Sequence, residues 1–209
     1  MHAGGAFAYA GAEAVTLRID GTETQVRRPR AGRPGRRAFV SGKKRQNTIK
    51  ATVIGDGQSH TLWTGAARPG RMHDQTAVRT EGIAEKFRLH PQVKAEADEG
   101  FRGLHNEFPC QVSVPPKEPG NDVPLGEQYA WREYRRRQTS ARICIEHAIA
   151  EHRQWRALQR HTSQRSTYTE THLAIAGLVS DRAVRRATRR KPSTALVPLQ
   201  QAARWSLTS

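Results

Sequence analysis

Leu17-Arg18-Ile19-Asp20-Gly21-Thr22-Glu23 is the stretch on which the fold turns. Val15 to Ile19 is a short β-prone run that closes on Asp20-Gly21, and Thr24-Gln25-Val26-Arg27 resumes it as a second extended piece. Asp20 is therefore expected at a strand end or bend. An acid at the end of an apolar run points to chemistry, because a bare buried carboxylate is costly unless a cation or a donor compensates it. Two further acids stand in different settings: Asp98 in Ala95-Glu96-Ala97-Asp98-Glu99-Gly100-Phe101, and Glu146 in Arg142-Ile143-Cys144-Ile145-Glu146-His147-Ala148-Ile149.

Working outward, Thr48 to Ile54 and Ser59 to Gly65 are two β-rich runs around the turn signal Gly55-Asp56-Gly57, which predicts a β-hairpin. With the strand before Asp20 this makes three antiparallel strands. After Arg68-Pro69-Gly70, His73-Asp74 opens a helical pattern to about Phe87, with Asp74 as its expected N-cap. Val93 to Ala97 predicts a short element ending on Asp98, and Gln111 to Val114 predicts a last strand, stopped by Pro115-Pro116. Beyond the Pro/Gly-rich connector 117–126, helices are expected over Glu127 to about Leu158 and over Thr169 to about Ala187. In the first of these, Ile143, Ala150 and Leu158 lie near one face and Ile145, Ala148 and Ile149 broaden it. Strands and helices mixed in this order predict an α/β fold. The domain is expected over 15–187, after a short tail at 1–14 and before a basic tail at 188–209.

With 209 residues, 36% of them hydrophobic, the chain is long enough for one ordinary domain with a core. Its formal charge of +16 predicts a polyanionic partner, nucleic acid first. The two cysteines, Cys110 and Cys144, form no metal-type pair and no disulfide framework, which suits a reducing compartment. No run approaches the ~20 apolar residues of a membrane helix, and the opening residues lack a basic leader, so a soluble cytoplasmic protein is expected, associated with the nucleoid when bound to DNA.

The chain resembles the catalytic domain of DDE-type insertion-sequence transposases, in the branch related to Harbinger transposases. The resemblance covers roughly residues 15 to 180. It is carried, in order, by Ile19-Asp20-Gly21-Thr22-Glu23, Ser41-Gly42-Lys43-Lys44-Arg45, Ala67-Arg68-Pro69-Gly70-Arg71-Met72-His73-Asp74, Ala97-Asp98-Glu99-Gly100-Phe101-Arg102-Gly103-Leu104 and Arg142 to Ala150. It implies a ribonuclease-H-like fold, a central mixed sheet flanked by helices, in which both aspartates leave strands and the glutamate leaves a helix. It implies Asp20, Asp98 and Glu146 as catalytic metal ligands, Asp20 bridging, with Asp74 a further candidate. The glutamate helix of such transposases often carries Tyr-x2-Arg-x3-Glu-x6-Lys, and the matching positions are Thr139, Arg142, Glu146 and Arg153. The aromatic is therefore absent and Arg replaces Lys; Phe101 likewise stands where tyrosine is usual. Such proteins usually carry a helical DNA-binding region before this domain, whereas about fourteen residues precede it here. A truncated or split copy is accordingly one expectation, and a catalytically inactive DNA-binding remnant the alternative reading.

The residue types suit that chemistry. In-line attack by water or a 3′-hydroxyl on a phosphodiester accumulates negative charge, which two Mg²⁺ (or Mn²⁺) ions offset, and these ions prefer hard carboxylate oxygens. Each acid also has a plain alternative. Aspartate before glycine is commonly a turn residue, and Glu146 has Arg142 one helical turn away as a partner. His147, Glu151 and His152 lack the one-turn histidine spacing of a zinc helix.

From Arg27 to Arg45 the chain holds many cations, no acid, and several Pro and Gly, a loop composition suited to double-stranded DNA. Arg27, Arg28, Arg30, Lys43, Lys44, Arg45, Arg136, Arg142 and Arg153 are the candidate phosphate contacts. Trp63 and Trp155 are read as packing residues. Joining two element ends usually demands at least a dimer in such families, so the resemblance also implies a homo-oligomer, while the lack of a long apolar run predicts no membrane partner.

Overall fold

The computed structural model describes residues 3–29, 32, 35–120 and 122–189. Its centre is one long strand, β1 (Leu17–Val26), which runs straight through Asp20-Gly21 instead of stopping there. The reason is its neighbour: β2 (Thr48–Gly55) pairs antiparallel with it from Arg18 to Gln25, with Asp20 opposite Val53 and Gly21 opposite Thr52. A ladder along that length outweighs the local turn preference of Asp-Gly. Asp20 therefore sits mid-strand, where its direction is set by the strand alternation.

The predicted hairpin forms between β2 and β3 (Thr61–Thr64). Its turn is tied by Asp56, whose Oδ1 accepts from the backbone N–H of Gln58 at 2.8 Å and of His60 at 3.0 Å. The short β4 (Arg68–Pro69) pairs with the start of β2. On the other side of β1, β5 (Ala95–Ala97) runs parallel to it, and β6 (Val112–Ser113) runs parallel to β5. The sheet order is β3-β2-β1-β5-β6, and a last short strand, β7 (Arg160–His161), extends along the far end of β1. A mixed sheet flanked by helices is the ribonuclease-H-like architecture.

The described residues also form seven α-helices: α1 (Ala3–Ala12), α2 (Asp74–Thr80), α3 (Ile83–Leu89), α4 (Arg102–Glu107), α5 (Leu125–His152), α6 (Arg156–Gln159) and α7 (Tyr168–Arg189). Three departures from the sequence pattern have local causes. The segment expected to be a tail at 1–14 carries α1, whose fully buried Phe7 meets Phe87 edge-on at 4.8 Å. The single helix expected from His73 to Phe87 is two helices, broken at Gly82, whose φ of 68° lies in the left-handed region. His73 caps α2 in place of Asp74, its Nδ1 accepting from Gln75 N–H at 3.3 Å. Asp74, as the first helical residue, is left free to point elsewhere.

The two faces of β1 pack on different layers. Leu17 and Ile19 join Phe7, Val78, Ile83 and Phe87 in one buried cluster, and Val26 joins Leu158, Tyr168, Ile175 and Val179 in another. Each fully buried Leu, Ile or Phe contributes about 1.5–3 kcal/mol. Val53, Ile145 and Ile149 seat α5 on the sheet. The buried face of α5 is Gln138, Arg142, Ile145, Ala148, Ile149 and His152, whereas Ile143, expected inside, is 48% exposed. Leu158, expected at its end, belongs to α6. Trp63 packs against the first cluster, and Trp155 lies half exposed at the start of α6. The basic tail expected from 188 lies, from residue 190 on, outside the described residues. No described helix is long and apolar enough to cross a membrane.

Candidate active site

Parallel pairing brings the two aspartates together. Ile19 is in register with Ala97, so Asp20 and Asp98 follow adjacent strand positions on β1 and β5. Asp20 continues mid-strand, its Oδ1 accepting from Gly21 N–H at 2.7 Å, while Asp98 caps the turn that follows β5, accepting from Glu99 N–H at 2.7 Å. Glu146 comes from α5, which crosses this end of the sheet. Asp20, Asp98 and Glu146 line one cavity of about 600 Å³, together with Lys43, Arg135, Thr139 and Arg142.

Arg142 takes the centre. Its side chain is 10% exposed, with Nη2 3.3 Å from Asp20 Oδ2 and Nη1 3.1 Å from Asp98 Oδ1. This is not the helical pairing with Glu146 that the sequence offers: Asp20, on β1, and Asp98, just after β5, claim the guanidinium first. Glu146 is exposed and forms no ion pair among the described residues. Burial pushes the Asp20 carboxyl above the ordinary carboxylate range; Arg142 and the Gly21 N–H oppose this, and the charges of Asp98 and Glu146 reinforce it. Desolvation wins, so an ionised Asp20 is held at a cost that a nearby cation relieves.

A second cavity, of about 400 Å³, opens beside the first and shares Asp20, Gly21, Lys43 and Asp98 with it. Glu146 lines only the first, Asp74 only the second. Asp74 reaches this place because Gly21 and Gly100 lack side chains: a Cβ on Gly21 would meet Asp74 Oδ1 at 3.1 Å, and one on Gly100 would meet Oδ2 at 2.9 Å. Its carboxylate is already neutralised by Lys50, Nζ to Oδ1 2.8 Å. Among the described residues, no three His, Cys, Asp or Glu side chains stand together as a closed metal site.

The candidate DNA contacts divide by setting. Lys43 lines both cavities, and Lys44 and Arg153 line the second. Lys44 Nζ donates to the Glu23 carbonyl at 3.2 Å, and Arg153 Nη2 to Thr22 Oγ1 at 3.3 Å, so neutral acceptors anchor both and leave their charge available. Burial, then the charge of Arg153, lowers the Lys44 amine below the ordinary lysine range. Arg27, Arg28 and Arg45 are exposed, Arg136 is paired with Glu133 at 3.2 Å, and Arg30 lies outside the described residues.

Sequence reasoning missed Lys50 as the partner of Asp74. It also missed a polar core beneath α7. His152 Nε2 lies 3.0 Å from Thr61 Oγ1 and its Nδ1 3.4 Å from His172 Nε2, while Tyr168 OH meets Thr24 Oγ1 at 2.9 Å. Helical periodicity scores such residues as polar and assigns them to solvent. Glu151 is drawn away to Arg186, and His147 is exposed.

A family model described as DDE superfamily endonuclease matches residues 19–180. The match begins next to Asp20 and ends in α7, taking in every residue that lines the two cavities. A curated relative, the probable transposase for insertion sequence element IS702 of Microchaete diplosiphon, is 29% identical over 130 residues, which cover 62% of this chain and 43% of the relative. The matched part thus spans less than half the length of that relative. No solved structure matches the chain. On the family match, the chain belongs to the DDE superfamily endonucleases.

Proposed function

We infer that this protein is a DDE transposase that cleaves double-stranded DNA at the ends of a mobile element and joins the 3′ ends to a target. The observation that carries the reading is the single cavity lined by Asp20, Asp98 and Glu146 on a strongly cationic chain. DDE superfamily endonucleases are generally divalent-metal dependent, and the donor set here fits Mg²⁺ or Mn²⁺. The donors are carboxylate oxygens, the aspartate pair already gathers around a cation in Arg142, and Asp20 gains from any cation that offsets its burial. Asp20, Asp98 and Glu146 would hold the metal. When bound, the metal offsets charge on the attacking and leaving oxygens of the phosphodiester.

The protein's own residues supply the rest. Lys43, facing both cavities, meets a phosphate in either; Lys44 and Arg153 hold the backbone of the strand on the Asp74 side. Asp74, already matched by Lys50, acts as a brace beneath Gly21 and Gly100 rather than as a metal ligand. Work on two element ends calls for a homo-oligomer, as the family resemblance implies.

The test is metal-dependent nicking and strand joining on a duplex carrying the element end. Asp20→Asn, Asp98→Asn and Glu146→Gln are each expected to lose more than about a hundredfold, beyond the 10–100-fold typical of outer-shell changes at metal sites. Full activity in all three variants removes the reading. Salt-sensitive duplex binding with no cleavage by the wild type would favour the DNA-binding remnant instead.

A further inference from the structure

Arg142 is held in an unusual way for a structural ion bridge. It lies buried between two aspartates, one Nη on each, at 3.1 and 3.3 Å, longer than the ~2.7–2.9 Å of a strong charge-assisted pair. Its Nε is buried with no hydrogen-bond partner. A buried polar network that exists to lock a fold is satisfied throughout, because each orphaned N–H costs the desolvation of that group. This one is only partly satisfied, and the cavity of about 600 Å³ next to it leaves the guanidinium somewhere to go. Moving it needs only side-chain rotations, since Arg142 sits within α5, and the face of that helix toward the cavity also carries Arg135, Thr139 and Glu146.

The oxygens that hold Arg142 belong to Asp20 and Asp98, the two carboxylates proposed to hold metal. We propose that Arg142 is a built-in counterion that the divalent cation displaces: it holds the two aspartates together in the metal-free protein and is released into the cavity on metal loading. Once released, the guanidinium faces a cavity lined by Lys43 and Arg135, where a phosphodiester is its natural partner. Metal binding and DNA binding are then linked, each strengthening the other by the same factor. The inference rests on the metal-ligand reading of Asp20 and Asp98.

Two measurements test it, neither of them activity. In the first, Mn²⁺ is titrated into the whole protein and into Arg142→Gln, and free Mn²⁺ is followed by electron paramagnetic resonance. Removing the competitor is expected to tighten binding about tenfold or more, the scale on which one adjacent arginine biases a carboxylate. The second uses the wild type only, so it survives a variant that fails to fold. The side-chain ¹⁵N resonances of Arg142 are followed as Mg²⁺ is added, and rotation about its Nη bonds, slowed by the two aspartates, is expected to become fast. Equal or weaker Mn²⁺ binding in Arg142→Gln, or an Arg142 signal that stays restrained at saturating Mg²⁺, overturns the displacement alone. Mn²⁺ binding by neither protein overturns both the displacement and the metal-ligand reading beneath it.

Discussion

Lys50 Nζ lies 2.8 Å from Asp74 Oδ1 and ties the first residue of α2 to the second strand of the sheet. The same ammonium donates to the Met72 carbonyl at 3.0 Å and lies 3.7 Å from Glu23 Oε1, while the other oxygen of that carboxylate, Oε2, accepts from Thr48 Oγ1 at 3.1 Å. One cation therefore fixes a carboxylate from β1, a loop carbonyl and the head of α2. Replacing it by an isosteric apolar chain, Lys50→Met, leaves two acids without their partner. A loss of about 1–3 kcal/mol in urea unfolding is expected, the range for orphaned polar groups. An unchanged midpoint would mean that Lys50 does not brace the site.

Gly21 stands where two layers meet, with Asp20 directed to α5 and Asp74 approaching from α2. Its backbone is extended and its glycine is a matter of space: Gly21→Ala brings a Cβ to 3.1 Å from Asp74 Oδ1. A loss of about 1–3 kcal/mol is expected, as for overpacking elsewhere. Shortening the intruding side chain in the double variant Gly21→Ala/Asp74→Ala should recover part of it. A double-mutant cycle in urea checks this; strictly additive losses would show that the two positions do not touch.

The histidine pair beneath α7 makes the fold sensitive to acid. Burial lowers His152 to about 4, and burial with the His152 charge lowers His172 to about 3, from an ordinary 6.5. Both are neutral in the folded protein at pH 7. As pH falls below 6.5 the unfolded chain takes up protons that the folded one refuses, so stability drops with acidification until His152 titrates near 4 and His172 near 3. Urea midpoints at pH 7.5, 6, 5 and 4 should fall steadily below pH 6.5. His172→Phe should flatten that fall, and a slope unaltered by the substitution would assign the acid sensitivity elsewhere.

DNA binding should depend on salt in a residue-specific way. Lys43→Ala, Lys44→Ala and Arg153→Ala should each reduce the slope of log K against log salt by about 0.9, one phosphate contact apiece on duplex DNA. Arg136→Ala should leave the slope nearly unchanged, because Glu133 already holds that guanidinium on the exposed side of α5. Fluorescence anisotropy across a salt series distinguishes these; a full-sized effect at Arg136 would move the proposed DNA path to the outer face of the helix.

Local patterns were readable where local forces decide. The β2–β3 hairpin followed from Gly55-Asp56-Gly57 between two β-rich runs, and Asp98 was legible as the acid closing a short strand. Asp20 looked the same from its neighbours in sequence, yet β1 continues past it, because pairing with β2 outweighs the Asp-Gly turn preference. The buried face of α5 differs for a related reason: apolar spacing put Ile143 inside, whereas Arg142 and His152 are inside, with partners on β1, just after β5, on β3 and on α7.

The sequence by itself determined the kind of chemistry available: acids in the order Asp20, Asp98, Glu146, a cationic loop from Arg27 to Arg45, and a charge that calls for a polyanion. These follow from residue type, which needs no coordinates. Only the tertiary structure decided who neutralises whom. Helix geometry offers Arg142 a partner four residues on, in Glu146, but its guanidinium goes to Asp98, 44 residues away, and Asp20, 122 away. Sheet register sets the exposed Asp98 beside Asp20, whose burial makes its charge costly, and there a cation gains more than at the exposed surface of a helix.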